Sequence, residues 1–277
     1  MMKLTPNLDD FCRLAQEKNL IAVSTEINMD LDTPVSVYYK LVDEEKGFIL
    51  ESVDTTQQQF GRFSFIGAEP FARLQVFRDK LMIKENDLMK SIDGAPVDTI
   101  KQYMARFRPA LEDAQLPLAN GGLVGYFNYE VVATFDRVRG MAVGDEELLG
   151  QFMLCRVLVV IDALKNSARL ICLVDTKGKP AAEAYEEAAA KMEALIGQLS
   201  APLAPHAAPK TQRKAPLDFL KKFGKVPADF IAAIEKAKEH IFAGDIFQVV
   251  PSRQFRAKIT KPSFHFYRRL RQGNASP

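Results

Sequence analysis

The chain has 277 residues, of which 47% are apolar and 26% charged, a composition that fits a globular protein of one large or two ordinary domains. A formal net charge of +2 provides no field for nucleic acid or another polyanionic partner. The apolar runs are far shorter than a membrane span, and Met1-Met2-Lys3-Leu4-Thr5-Pro6 leads into Asp9 and Asp10 without the apolar stretch of a signal peptide.

The first elements are a helix over 7–18, with Leu8, Phe11, Cys12 and Ala15 on one face, and a strand from Leu20 to Ile27. Thr33-Pro34 opens a second helix carrying Val35, Val37, Tyr38 and Leu41, because proline suits the first helical position. Gly47 to Glu51 reads as a strand, buried through Phe48-Ile49-Leu50 and ended by Glu51 and Ser52. A polar loop then leads to Gly61-Arg62-Phe63-Ser64-Phe65-Ile66-Gly67. Glu51 admits two readings, a solvated strand end or a ligand carboxylate. Arg62 admits two as well, a surface cation or the group that orients Glu51.

Ala72 to Val76 and Lys80 to Lys84 form an antiparallel pair around Arg78-Asp79, and Ile100 to Phe107 a helix stopped by Pro109. Gly121, Gly122 and Gly125 within the run 121–127 imply close backbone approach or a bend in a strand, more than a phosphate cradle. Glu130 and Asp136 read as loop carboxylates. Leu148 to Ile161 and Arg169 to Val174 form a hairpin around Lys165-Asn166-Ser167, with Cys155 and Cys172 as buried spectators. Pro180 opens a helix to Leu199 whose buried face is marked by Tyr185, Ala189, Met192 and Ile196.

Residues 200–217 are rich in Ala, Pro, Lys, Gln and Arg and read as a linker between an amino-terminal domain, 1–199, and the start of a second domain, 218–277. In the second part Phe230, Ile234, Ala237 and Ile241 mark an amphipathic helix, Gly244 its end, and Ile246 to Val250 a strand. A last short helix carries Phe264, Tyr267 and Leu270 and ends at Gly273. Alternating helices and hairpins without a regular βαβ repeat argue for an α+β fold with mixed antiparallel β. The odd, scattered set Cys12, Cys155 and Cys172 fits a reducing cytoplasm, and His206, His240 and His265 show no metal-ligand spacing.

The string Ala243-Gly244-Asp245-Ile246-Phe247-Gln248-Val249-Val250-Pro251-Ser252-Arg253 resembles the start of the chorismate-binding domain of anthranilate synthase component I. Tyr267, Leu270, Asn274, Ser276 and Pro277 resemble that family's Y-x-x-L…N-P-S-P segment, with Ala275 in place of the first proline. The combination L-E-S…G-R-F-S-F-I-G at 50–67 resembles its regulatory strand pair, and Gly121 to Tyr126 its G-G-x-x-G-Y segment. The resemblance implies a β-sandwich core of two sheets with peripheral helices, and a tryptophan feedback site drawing on Glu51, Ser52, Arg62 and Pro277. It further implies conversion of chorismate and ammonia to anthranilate and pyruvate. A glutaminase component II would supply the ammonia, and Mg2+ would bind through ligands expected beyond Pro277. The family's catalytic motifs have no counterpart before Pro277, so no catalytic residue is assigned and the chain alone is expected to be inactive. The rival readings are aminodeoxychorismate synthase component I of the folate pathway and a non-catalytic tryptophan-binding fragment.

Overall fold

The computed structural model describes residues 2–42, 46–54, 59–110, 121–138, 141–203, 226–256 and 262–273. The chain divides into two compact units, one spanning Met1–Pro205 and the other His206–Asn274.

The first unit is organised on two long strands, β3 (Gln59–Val76) and β7 (Gly150–Asp162), which pair antiparallel from Phe63↔Asp162 to Val76↔Gly150. The register shifts between Pro70 and Ala72, beside Glu69 at φ 53. An extra residue in one strand bends it and sharpens its twist, so the ribbon creases there. On one side of the crease, β2 (Gly47–Asp54) pairs with β3, β8 (Ser167–Asp175) with β7, and β1 (Leu20–Asn28) with β8. On the other side, β4 (Lys80–Glu85) pairs with β3, β5 (Leu88–Asp93) with β4, and β6 (Val124–Phe127) with β7. Every one of these pairings is antiparallel. The expected two layers are thus halves of one continuous, creased sheet that share β3 and β7.

Period-two alternation turns one face of each half toward a common core. Ala22, Leu158, Val160, Ile171 and Leu173 from one half meet Leu74, Val76, Leu81, Ile83 and Leu154 from the other. Tyr103 and Phe107, at the end of α3 (Pro96–Met104) and just beyond it, join the same cluster. The buried Glu85 carboxylate beside them is paired with Arg106, whose guanidinium lies over both rings. Burial pushes the Tyr103 hydroxyl up to about 12.

The other helices lie outside the sheet: α4 (Ala181–Ser200) against β8 and β1, with α1 (Leu8–Leu14) and α2 (Pro34–Leu41) against α4. Thr33 and Ser36 cap α2 reciprocally, each side chain bonded to the other's backbone N–H, with Pro34 in the first turn.

Several local expectations shift. Helix α1 stops at Leu14, and α3 begins earlier, at Pro96, and ends at Met104, while Pro109 bridges to Leu20. Among the described residues strand β2 pairs only with β3, Phe48-Ile49-Leu50 is not a buried run, and Leu50 is 43% exposed. The buried face of α4 is Ala184, Ala188, Met192, Leu195 and Leu199. The two small alanines admit close approach, while Tyr185 stands at the margin, donating to the Pro6 carbonyl at 3.1 Å beside the Phe11 ring. Gly121 and Gly122 precede β6 at φ 76 and 156. Gly125 lies within the strand, where a Cβ would stand 2.0 Å from the Gln151 carbonyl oxygen, so close backbone approach accounts for it. Glu130 sits in a 3₁₀ turn, Tyr129–Thr134, and Asp136 is exposed beyond it. Cys155 and Cys172 are buried, and burial pushes their thiols up to about 12 and about 11.

In the second unit α5 (Ala228–Phe242) half-buries Phe230, Ile234 and Ala237, the face its spacing specifies, while Ile241 is exposed. Gly244 ends the helix at φ 80. The Asp245 N–H then bonds the His240 carbonyl at 3.0 Å, and the two side chains meet at 2.8 Å. Residues 246–250 do not form the expected strand. A strand is defined by its ladder, and the described residues offer these five no partner. Phe247 and Val250 stand 94% and 77% exposed. The final helix is α6 (Ser263–Gly273). Of the proposed linker, Ser200 is the last residue of α4, and 204–217 lie outside the described residues.

Candidate functional site

Glu51 and Ser52 lie near the end of β2, where it pairs with the first part of β3. Glu51 stands opposite Ser64 and is half-buried. The register then shifts between Glu51 and Val53, placing Ser52 in the irregularity. Ser52 Oγ donates to the Phe63 carbonyl at 2.8 Å. Gly61 lies directly against it: a Cβ there would be 2.3 Å from Ser52 Oγ and 2.9 Å from its Cβ. The glycine before Arg62 is therefore required by Ser52 itself.

Arg62 forks onto Asp162, with Nε to Oδ1 at 2.9 Å and Nη2 to Oδ2 at 2.6 Å. Two parallel charged hydrogen bonds are the strong geometry for this pair. The Asp162 carboxylate also accepts the Leu164 and Lys165 backbone N–H groups in the β7–β8 turn. The Arg62 hydrogen bond is the leading cause that holds the Asp162 carboxyl below its ordinary range, and the same bond raises Arg62. The guanidinium lies 4.8 Å from the Phe63 ring centroid. Its partner is Asp162, so Arg62 ties the β2–β3 hairpin to the β7–β8 turn instead of orienting Glu51. The fork engages Nε and Nη2, and with the Arg62 side chain 45% exposed the Nη1 donors remain for a ligand.

The structure thus brings Glu51, Ser52 and Arg62 onto one hairpin. Pro277, the fourth residue of the expected tryptophan site, lies outside the described residues. The sequence reading missed Asp162 and the role of Gly61. Asp162 carries no local signal, since its partner is 100 residues away, whereas Gly61 is visible as the glycine that opens G-R-F-S-F. Among the described residues no group of three or more His, Cys, Asp or Glu side chains is placed to hold a metal ion. No described helix is long and apolar enough to cross a membrane.

The family model for chorismate binding enzymes matches residues 46–277. Anthranilate synthase component 1 of Neisseria gonorrhoeae is 36% identical over 273 residues, covering 95% of this chain and 53% of that protein. The protein of the same name from Acetivibrio thermocellus is 30% identical over 281 residues, covering 98% and 55%. The chain thus spans about half the length of the curated relatives it matches. Among solved structures, anthranilate synthase component I from Streptococcus pneumoniae superposes with a TM-score of 0.54 at 22% identity, over 90% of this chain and 53% of that one, a likeness of fold. An α+β fold on an antiparallel sheet, the two motif-bearing regions and a family match over most of its length lead to one assignment: the chain belongs to the chorismate binding enzyme family.

Proposed function

We propose that this chain is the amino-terminal, tryptophan-sensing part of an anthranilate synthase component I. The complete protein converts chorismate and ammonia to anthranilate and pyruvate, with ammonia delivered by a glutaminase component II. The observation that carries this reading is the match of 95% of the chain to relatives of that name, joined to the E-S…G-R-F-S-F hairpin. Residues 1–199 form the regulatory domain, and 218–277 begin the chorismate-binding domain.

The hairpin chemistry suits an amino-acid effector. The Glu51 carboxylate pairs with the ligand ammonium in a charge-assisted contact. Ser52 presents a hydroxyl in the bulge next to it, and the remaining Arg62 donors take the ligand carboxylate. Asp162 keeps the Arg62 fork in place before the ligand arrives, which reduces the ordering cost of binding.

The test is an anthranilate fluorescence assay with chorismate, ammonia and Mg2+, run on the full-length protein and on this 277-residue chain. Full-length protein should form anthranilate and be inhibited by tryptophan, and the chain alone should form none. In the full-length protein Ser52→Phe should relieve inhibition and leave turnover largely intact. A product other than anthranilate would overturn the assignment, aminodeoxychorismate pointing to the folate-pathway enzyme. An unchanged tryptophan inhibition constant would remove Ser52 from the site.

A further inference from the structure

Helix α2 connects the hairpin to the end of α4, packing against β2, β3 and α4. Its junction with β2 is tight. A Cβ at Gly47, the first residue of β2, would stand 2.7 Å from Cγ1 of Val42, the C-cap of α2, and 2.3 Å from the Gly67 carbonyl oxygen of β3. Packed interiors leave no slack at such contacts, so a shift of β2 when a ligand meets Glu51 and Ser52 is borne by α2.

Toward α4, the same helix carries a shielded ion pair. Lys40 Nζ bonds both Asp32 carboxylate oxygens at 2.9 Å and the Leu199 carbonyl at 2.6 Å, which engages its three donors. The Lys40 and Asp32 side chains are 11% and 19% exposed. Ser36 Oγ donates to Asp32 Oδ1 at 2.6 Å. Leu199 lies in the last turn of α4, where carbonyls lack helical partners and a cation is favoured. The Ala201 N–H takes the Gly197 and Gln198 carbonyls, and Lys40 takes that of Leu199. Buried charges can lose more by desolvation than pairing returns, so such a pair is better evidence for one fixed arrangement of the elements it joins than for stability. Here it joins the helix that supports β2 to the end of α4, from which the chain continues toward the second unit, His206–Asn274.

We propose that Lys40 couples the effector site to the rest of the protein: with Asp32 it ties α2 to the end of α4, so that occupancy of the Glu51–Ser52 hairpin is transmitted to the point where the chain leaves α4. The inference rests on the tryptophan-sensing reading of the hairpin. Lys40 is a positioning residue, acting through α2 and the Leu199 carbonyl. Its removal therefore changes the coupling between effector and substrate more than the affinity for either, and that coupling is reciprocal.

The test is the coupling factor of the full-length protein, measured by calorimetry in ammonia-free buffer. It is read as the change in tryptophan affinity caused by chorismate and as the change in chorismate affinity caused by tryptophan. Lys40→Met keeps the reach of the side chain and removes its charge. It should lower the coupling factor at least about fivefold and leave tryptophan affinity without chorismate close to wild type. Lys40→Arg, which keeps the charge and the donors, should retain most of the factor. Lys179→Met, at the exposed pair with Glu187 of α4, should leave it unchanged. Circular dichroism identifies the folded variants, and Asp32→Asn, which removes the partner charge and keeps an acceptor, serves if Lys40→Met does not fold. Wild-type coupling in Lys40→Met, or in Asp32→Asn where that variant alone folds, would overturn the proposal and leave the hairpin reading intact. Loss of tryptophan binding itself in Lys40→Met would overturn it too, making Lys40 a support of the site and not its coupling. So would an equal loss of coupling in Lys179→Met, since any weakening around α4 would then uncouple the sites. A wild-type protein that tryptophan does not inhibit would remove the hairpin reading and this inference with it.

Discussion

Gly61→Ala is the sharpest probe of the hairpin, because its effect follows from three distances. A Cβ at position 61 would lie 2.3 Å from Ser52 Oγ, 2.9 Å from Ser52 Cβ and 3.1 Å from the Ser52 carbonyl carbon, where ordinary contact begins at 3.4 Å. Rotating Ser52 relieves the first clash but gives up its 2.8 Å bond to the Phe63 carbonyl, worth about 0.5–1.5 kcal/mol. The other two contacts do not depend on χ1, so the strands themselves must part, an overpacking that costs about 1–3 kcal/mol. The expected loss is therefore about 2–4 kcal/mol in urea unfolding of the chain. Ser52→Gly combined with Gly61→Ala exchanges the small residue across the pair. It should recover at least about 1 kcal/mol beyond additivity, as contacting residues do in a double-mutant cycle. In the full-length protein the same Gly61→Ala change should weaken tryptophan inhibition, since it displaces the hydroxyl assigned to the ligand. A single variant within about 0.5 kcal/mol of wild type, the range of an unremarkable surface substitution, would refute the reasoning. Strict additivity in the double variant would refute it as well.

Glu51→Gln should cost the full-length protein about 1.5–3 kcal/mol of tryptophan affinity, while a deaminated analogue should lose none; an equal loss for both would indicate a folding defect. The Asp162 carboxyl is held low in the folded chain, so its contribution to stability is complete above its unfolded value of about 3.9 and is lost as pH falls through the lowered folded value. Asp162→Asn should therefore destabilise the chain at neutral pH and flatten the acid limb of its stability curve, and a limb unchanged from wild type would deny the Arg62 pair that role. Phe247→Lys with Val250→Lys should raise the solubility of the isolated chain, because both side chains are exposed and apolar. Unchanged sedimentation of the double variant would show that self-association arises elsewhere.

The sequence by itself determined those parts of the molecule whose causes are local. The Lys80 to Lys84 strand paired with Ala72 to Val76, the Thr33-Pro34 helix start, the β7–β8 hairpin and the Phe230, Ile234 and Ala237 face each reside in a few neighbouring residues and were legible there. The motif strings identified the family, and Glu51, Ser52 and Arg62 do share one hairpin. Tertiary structure decided whatever depends on partners remote in sequence. The turn of α4 onto its alanine face was set by the sheet beneath it, not by the periodicity of its larger side chains. Residues 246–250 have the composition of a strand but no ladder among the described residues, and a strand's hydrogen bonds lie in its neighbour. Arg62 found Asp162 across 100 residues, and the crease at Pro70–Ala72 joined the two layers into one sheet. Local pattern specifies which face a residue prefers, whereas register, partners and cavities depend on which distant segments pair across the sheet, and nothing in a single stretch of sequence encodes that.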